Sequence, residues 1–377
     1  MEGAVTISTN IDGIVPSKSC SADSSRTRRL RPEKSLLLVG NFFSTAKGSR
    51  TVCADLAAKL QESKWSVIVT SRYRNKILRL LDMTSTVWLK KHSFNLAQVD
   101  VYSGPAFVWA ELTCELLRHL GKPYLLTLHG GNLPAFAQRW PGRVRRLLRG
   151  AFAVTTPSHY LMDAMKSYRT DLSLLPNAIE LDKYAFRCRG RIRPSLVWLR
   201  AFHKIYNPSL VPHVMACLRC EFPDLHLTMV GPDTQDGTLQ LTVKLADDLS
   251  VSQHLRMLGP IPKANVPECL AEADIFLNTA DIDNAPVTIV EAMACGLCII
   301  STSVGGIPYL LRDGHDALLV PPNDPEAMAA AVRRILKEPG LAKILSRNAR
   351  RKAEEFSWSN ILPQWEELLL NAGNRDA

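Results

Sequence analysis

Two carboxylates on either side of a helix start are the first residues in this chain whose types and spacing suggest chemistry. Asp283 and Glu291 are separated by seven residues, Asn284-Ala285-Pro286-Val287-Thr288-Ile289-Val290, and the run continues as Ala-Met-Ala-Cys to Gly296. Polar residues before Pro286, apolar residues after it and a closing glycine predict a loop followed by a helix. The first N–H groups of such a helix, those of Val287 and Thr288, have no partner within it and attract phosphate oxygens by hydrogen bonding and through the helix dipole. Pro286 has no N–H to donate. Glu291, about a turn further in, can accept from a vicinal pair of hydroxyls such as those of a ribose; Asp283, in the loop, faces a different group. On spacing alone, a helical Glu is more often a solvated surface charge. Two other residues end apolar runs, where ligands gather in α/β sheets: Arg200, after Leu196 to Leu199, and His129, which precedes Gly130 and Gly131. The plain readings are a surface arginine and a structural histidine.

Bulk composition limits what these residues can belong to. A chain of 377 residues exceeds one ordinary core and suggests two domains, and 46% hydrophobic residues suffice to fill both. Forty-six Lys and Arg against 36 Asp and Glu give a formal charge of +10, which favours anionic partners: nucleotide phosphates, acidic lipid surfaces or nucleic acid. Part of that excess lies in a tail containing Arg26, Arg28, Arg29, Arg31 and Lys34. Nine cysteines, an odd number scattered through apparent helices and strands, suit the free thiols of a reducing compartment, so a cytoplasmic location is expected. Two C-x-x-C pairs, Cys217 with Cys220 and Cys295 with Cys298, carry no histidines at finger spacing, and a structural zinc is not expected. No apolar run reaches the roughly 18 residues that a membrane span requires, and a secretory signal pattern is absent.

The elements that position the candidates follow from hydropathy. Residues Met1 to about Pro32 are rich in Ser, Thr and Arg and are expected to be disordered. From there, apolar runs without polar alternation read as parallel strands buried on both faces: Leu36–Gly40, Ser66–Thr70, Val99–Ser103, Tyr124–His129, Ala153–Ser158 and Leu172–Asn177. Val52, Leu56, Ala57 and Leu60 recur at helical spacing between the first two, making a βαβ unit. An Arg-, Gly- and Pro-rich stretch from Cys188 to Pro194 reads as a linker. The alternation then restarts with Leu196–Leu199, Leu225–Gly231, Leu255–Gly259, Ile275–Thr279, Cys298–Ser303 and Ala317–Pro321. Helical patterns over Pro325–Lys337 and Leu341–Glu355 follow, and Trp358–Leu370 is expected to close the chain by packing back on the first domain. The basic run Arg139 to Arg149 places Trp140, Val144, Leu147 and Leu148 on one helical face; packing on the sheet is the favoured reading and contact with an anionic membrane the other.

The acid, seven residues, Glu and Ala-Met-Ala-Cys-Gly, followed by Ser303-Val304-Gly305-Gly306-Ile307-Pro308 and Leu318-Leu319-Val320-Pro321-Pro322, strongly resemble family 4 of the retaining glycosyltransferases. The resemblance runs from Leu36 onward and is densest between Asp274 and Asp324. It implies the GT-B fold, with Glu291 on the nucleotide ribose and the first acid, Asp283, near the donor sugar's hydroxyls. The chain departs from the family in having Asp283 where Glu is usual, and Asn284, Ala285 and Pro286 in place of a glycine-rich loop. Arg200 matches the Arg of the family's Gly-Arg pair, which faces the diphosphate, although Leu199 replaces the Gly. Where the family has Lys six residues later this chain has Tyr206, so Lys204 is the nearest substitute. His129 corresponds to a histidine at the donor sugar's reacting face, there to orient or polarise. Gly48 resembles a glycine near the diphosphate and acceptor, although the loop Gly40 to Gly48 carries neither a dinucleotide fingerprint nor a P-loop. Gly305 and Gly306 read either as ligand loop or as a turn.

The expected architecture is therefore α/β and GT-B: a tail (1–33), an acceptor-side Rossmann-like domain (34–185), a nucleotide-sugar-binding Rossmann-like domain (194–355) and a C-terminal helix (356–377) packing back on the first domain. The expected activity is retaining sugar transfer from a nucleotide diphosphate sugar to an acceptor hydroxyl, with no metal and no cofactor beyond that co-substrate. The acceptor would be a carbohydrate, a lipid-linked group or a small molecule, in polysaccharide, glycolipid or glycoconjugate synthesis. Nucleic acid is not an expected partner, and peripheral contact with the inner membrane face accompanies the cytoplasmic reading. The rivals are a non-catalytic nucleotide-sugar-binding protein and a nucleotide-sugar epimerase of the same fold.

Overall fold

Ser35 to Val39 is apolar after its first residue and buried throughout, as a strand flanked on both faces by helices must be. A computed structural model describes residues 34–42, 51–73 and 75–373. In it β1 (Ser35–Val39), β2 (Ser66–Thr70), β3 (Leu96–Val101), β4 (Tyr124–Leu128), β5 (Ala153–Thr156) and β6 (Leu172–Leu174) form one parallel sheet in the order β2-β1-β3-β4-β5-β6. A second parallel sheet, β12-β11-β10-β7-β8-β9, is built from β7 (Ser195–Leu199), β8 (His226–Val230), β9 (Leu255–Gly259), β10 (Ile275–Asn278), β11 (Cys298–Thr302) and β12 (Ala317–Val320). Both sheets are doubly wound; the first has the flavodoxin-type order and the second the dinucleotide-fold order. Each apolar run corresponds to a strand. β3 starts three residues before its run, because Leu96 and Ala97 are buried and the polar Gln98 and Asp100 are buried with them.

The stretch from Arg187 to Arg193 is firmly docked on the second sheet. Arg187, Arg189 and Arg193 converge on Asp274, a fully buried residue at the entry to β10, with Arg193 Nε 3.1 Å and Arg189 Nε 3.3 Å from its carboxylate. Arg189, itself fully buried, also donates to the carbonyls of Ala273 and Cys295. Burial pushes the Asp274 carboxyl up, but hydrogen bonds and charge from Arg193 and Arg187 outweigh it and hold it below its ordinary value. A depressed folded value means that this stability is present at neutral pH and lost as pH falls through the carboxylate range. Asp274→Ala strands the buried Arg189 guanidinium, so it is expected to lower unfolding free energy by about 3 to 5 kcal/mol, measured in guanidinium chloride at pH 7.

The helix Trp358–Gly373 returns to the first sheet. Ile361, Trp365, Leu369 and Ala372 pack with Leu36, Leu38, Leu56, Leu60 and Trp65, and Trp65 Nε1 donates to Glu366 at 3.1 Å. The basic run is broken at Trp140 into helices Leu133–Arg139 and Pro141–Arg149, since Pro141 cannot continue the first. Val144, Leu147 and Leu148 are buried in the core, whereas Trp140 sits at the junction and is exposed, so it does not share their face. The apolar side of this segment is thus taken up by the sheet.

Candidate functional site

In the second sheet β7 and β10 are neighbours, and the chain leaves them toward opposite edges. A crevice opens at such a switch point, beyond the carboxyl ends of the strands. Arg200 follows β7, and the loop Asp281 to Pro286 follows β10. Arg200 and Asp283 form an ion pair there with both side chains about nine-tenths buried. The guanidinium also lies 4.7 Å from the centre of the Tyr206 ring, and its Nε is buried without a partner. Asp283 accepts a second hydrogen bond from the N–H of Asn284 at 2.9 Å. The resemblance has these two residues facing different parts of a ligand; here they face each other. Lys204 is exposed on a short turn with its backbone N–H held by Asp236, and it is Tyr206, not Lys204, whose side chain meets Arg200.

The loop around Asp283 touches both halves of the chain. A side chain at Gly305 or Gly306 would collide with the carbonyl oxygens of Asp283 and Asn284, and the N–H of Gly306 donates to Asp283 at 3.1 Å. This pair is needed for close approach to the acid loop. From the first sheet, Gly131 lies so near that a Cβ there would be 2.8 Å from Ile282. Ser158 hydrogen-bonds the side chain of Asn284, and Asn177 donates to the carbonyl of Ala285 at 3.2 Å. The residues that stand in place of the glycine-rich loop therefore latch onto the first half.

Val287 opens the helix Val287–Ala294 as predicted, with no side-chain cap on its first turn and with the hydroxyl of Thr288 buried without a partner. Glu291 is 1% exposed, which rules out the solvated-surface reading. Its Oε1 accepts from the Tyr184 hydroxyl at 2.8 Å and pairs with Lys263, while Oε2 is buried with no partner. Burial and the Glu291 charge push the Tyr184 hydroxyl well above its ordinary pKa, so it remains a donor. Val287, Glu291, Lys263, Tyr184 and Trp358 line a cleft of about 310 Å³. A carboxylate fixed by two donors on one oxygen and open on the other is suited to accept from a ligand hydroxyl.

His129 immediately follows β4 and its Nε2 lies 3.1 Å from Asp100 Oδ1, with the ring stacked on Tyr102 at 5.0 Å between centres. Gln98 donates to the same carboxylate oxygen at 2.8 Å and to the Thr127 hydroxyl at 2.9 Å. The histidine is thus held by a buried polar network in β3 and β4.

Asp283 and Arg200 are brought into direct contact, and the His129 loop reaches them through Gly131. Glu291 and Val287 line a cleft with other partners, Lys204 stands apart, and Gly48 falls outside the described residues, as does the tail 1–33. Tyr184, Lys263 and Asp100 escape sequence reasoning, and Tyr206 enters it only as the residue in place of a lysine. Asp100 leaves one trace, an acid in the otherwise apolar end of β3; Tyr184 and Lys263 lie beside or within short turns with no periodic pattern. Among the described residues, no three His, Cys, Asp or Glu side chains gather as a metal site. The thiols of Cys295 and Cys298 are pushed up by burial to about 11 and about 12, which keeps them protonated.

Comparison with known proteins adds relatives to this geometry. Residues 194–352 match the model of the family described as glycosyl transferases group 1. D-inositol 3-phosphate glycosyltransferase of Streptomyces bingchenggensis is 31% identical over 202 residues, 52% of this chain and 41% of that protein. GDP-mannose-dependent alpha-(1-6)-phosphatidylinositol monomannoside mannosyltransferase of Mycolicibacterium smegmatis is 28% identical over 255 residues, 62% of this chain and 65% of that protein. The matches thus span less than two-thirds of these relatives' own length. Among solved structures, sucrose-phosphate synthase from Thermosynechococcus elongatus superposes with a TM-score of 0.72 at 18% identity, covering 89% of this chain and 98% of its own. Anabaena HepE in complex with UDP and glucose gives 0.70 at 16%, covering 89% and 99%. At such identities the likeness is one of fold, and that fold is GT-B.

Proposed function

Because residues 194–352 match the model of the glycosyl transferases group 1 family, we propose that this protein transfers a sugar, with retention, from a nucleoside diphosphate sugar to an acceptor hydroxyl. The observation that carries the reading is Glu291: a buried carboxylate with one oxygen fixed by Tyr184 and Lys263 and the other unpartnered, one turn inside an uncapped helix start. Such an oxygen is matched to a ribose hydroxyl, and the N–H groups of Val287 and Thr288 to phosphate. The relatives support the donor class, since one is named for GDP-mannose and HepE is bound to UDP.

In the proposed reaction, the acceptor oxygen bonds to the anomeric carbon on the face from which the diphosphate departs. The bond from that carbon to the phosphate oxygen breaks, and the acceptor proton passes to a departing phosphate oxygen. Negative charge grows on the leaving group, and Arg200 with the helix start is assigned to stabilise it. His129, held by Asp100, orients the sugar at its reacting face, and Asp283 approaches the sugar's hydroxyls when Arg200 turns to phosphate. No metal enters this scheme, so excess EDTA is expected to leave the rate unchanged.

The proposed setting is a reducing compartment, in keeping with the eight free cysteines among the described residues. The acceptor class is a carbohydrate or a lipid-linked group presented at a membrane surface; no described helix is long and apolar enough to cross a bilayer. A thermal-shift screen of UDP-, GDP- and ADP-sugars tests the donor claim. A donor at 100 times its Kd adds about 2.7 kcal/mol of apparent stability. Stabilisation by none of them would overturn the reading; product analysis with and without acceptor separates transfer from epimerisation or binding alone.

A further inference from the structure

The helix Lys76–Leu89 carries an apolar stripe on the outside of the molecule. Ile77 is 71% exposed, Leu81 57%, Trp88 52% and Leu89 74%, with Leu78 exposed beside them. At 3.6 residues per turn, Ile77, Leu81 and Trp88 fall within about 40° of one another and Leu78 and Leu89 flank them on one side. The helix is not a loose segment. Its opposite face buries Arg79, Met83 and Val87, and Arg79 donates to the carbonyl of Tyr73 at 2.8 Å and to Asn41 at 3.1 Å while its guanidinium covers Trp109.

Cations stand at both ends of the stripe. Arg72, Lys76 and Lys90 are exposed, and Lys91 Nζ lies 4.2 Å from the centre of the Trp88 ring. The helix has one acid, Asp82, whose carboxylate accepts from the Thr70 hydroxyl of the adjoining sheet at 2.9 Å. A row of large apolar side chains bordered by lysine and arginine has the character of a helix lying in a bilayer interface, with apolar groups among the acyl chains and cations at the headgroups. A second copy of this chain fits less well. In a two-fold contact of antiparallel helices, Lys76 of one copy would meet Lys90 and Lys91 of the other, and like charges would repel.

We propose that the helix Lys76–Leu89 docks this protein on an anionic lipid surface through Ile77, Leu81, Trp88 and Leu89. This deepens the membrane-surface setting proposed above by naming the surface involved, and it does not depend on which donor or acceptor is used. The basic run Arg139 to Arg149, for which packing on the sheet is the favoured sequence reading, has its apolar side buried in the same core as Met83 and Val87, so the docking face lies on another helix of the same half of the chain.

Vesicle co-sedimentation of the full chain tests the proposal. The protein is expected to pellet with vesicles of phosphatidylcholine and phosphatidylglycerol, at least tenfold more than with phosphatidylcholine alone, and to be released as salt is raised. The double variant Leu81→Glu, Trp88→Glu is expected to lose at least tenfold in binding, and Lys90→Glu, Lys91→Glu to lose the preference for phosphatidylglycerol. Circular dichroism and thermal shift with the nucleotide sugar check that both variants remain folded, so a failed donor reading and a failed docking reading give different results. Wild-type protein that stays in the supernatant, variants that bind equally well, or a concentration-dependent dimer abolished by Leu81→Glu, Trp88→Glu would each overturn it.

Discussion

Glu291→Gln is expected to raise the KM for the nucleotide-sugar donor by roughly tenfold to a hundredfold with little change in kcat. Hydrogen bonds to a charged acceptor contribute about 1.5 to 3 kcal/mol, and a ribose is held alike in the ground state and the transition state, so the loss falls on binding. The amide keeps the shape of the carboxylate, and the Tyr184 hydroxyl can still donate to its oxygen. Lys263 loses its counter-ion but is about a third exposed, so water can solvate it. A purely supporting role for Glu291 gives a different pattern: a lower melting temperature with an unchanged donor KM. Lys263→Met separates the two further, because it removes the ion pair and leaves Oε2 available, and it is expected to preserve most of the donor affinity.

Arg200→Ala is expected to lower kcat by about a hundredfold to a thousandfold, the usual effect of removing a preorganised group aimed at developing charge. The Asp283 pairing makes a companion variant informative. Asp283→Ala leaves a guanidinium nine-tenths buried and without its counter-ion, which is expected to cost about 3 kcal/mol of stability in the free protein. A nucleoside diphosphate can take the vacated place beside Arg200, so UDP or GDP is expected to raise the melting temperature of Asp283→Ala by more than that of the wild type. Equal shifts in the two proteins would remove Arg200 from the phosphate site. Differential scanning fluorimetry of both, with and without nucleotide, checks this.

The strands were legible because buried parallel strands leave a continuous apolar run, and these runs lie where β1 to β12 form. The helix start at Val287 was legible through its flanking Pro286 and Gly296, since proline and glycine have fixed backbone preferences. Side-chain partnership was not legible in the same way. Nothing in spacing tells that Arg200 turns to Asp283 instead of outward, because the pair is made only when two loops 83 residues apart meet at the switch point. Tyr184 and Lys263 reach Glu291 across separations of 107 and 28 residues, from short turns with no repeat to betray them. Trp140 was assigned to the wrong face because a helical wheel assumes an unbroken helix, and Pro141 breaks this one.

The chain passes between its two sheets twice, once after β6 and again on the way to the closing helix, and the two passages are tied together. Ile179 N–H donates to the carbonyl of Phe356 at 2.8 Å, and Trp358 N–H donates back to Ile179 at 3.2 Å. Two separate tethers would let the halves twist and slide; two tethers pinned side by side leave mainly one rotational freedom, as in a door hung on a single pin. Opening that door must release the Ser158 latch on Asn284 and the Gly131 contact with Ile282. A few side-chain contacts across the two halves therefore restrain that rotation, and loosening them would speed turnover wherever release is the slow step.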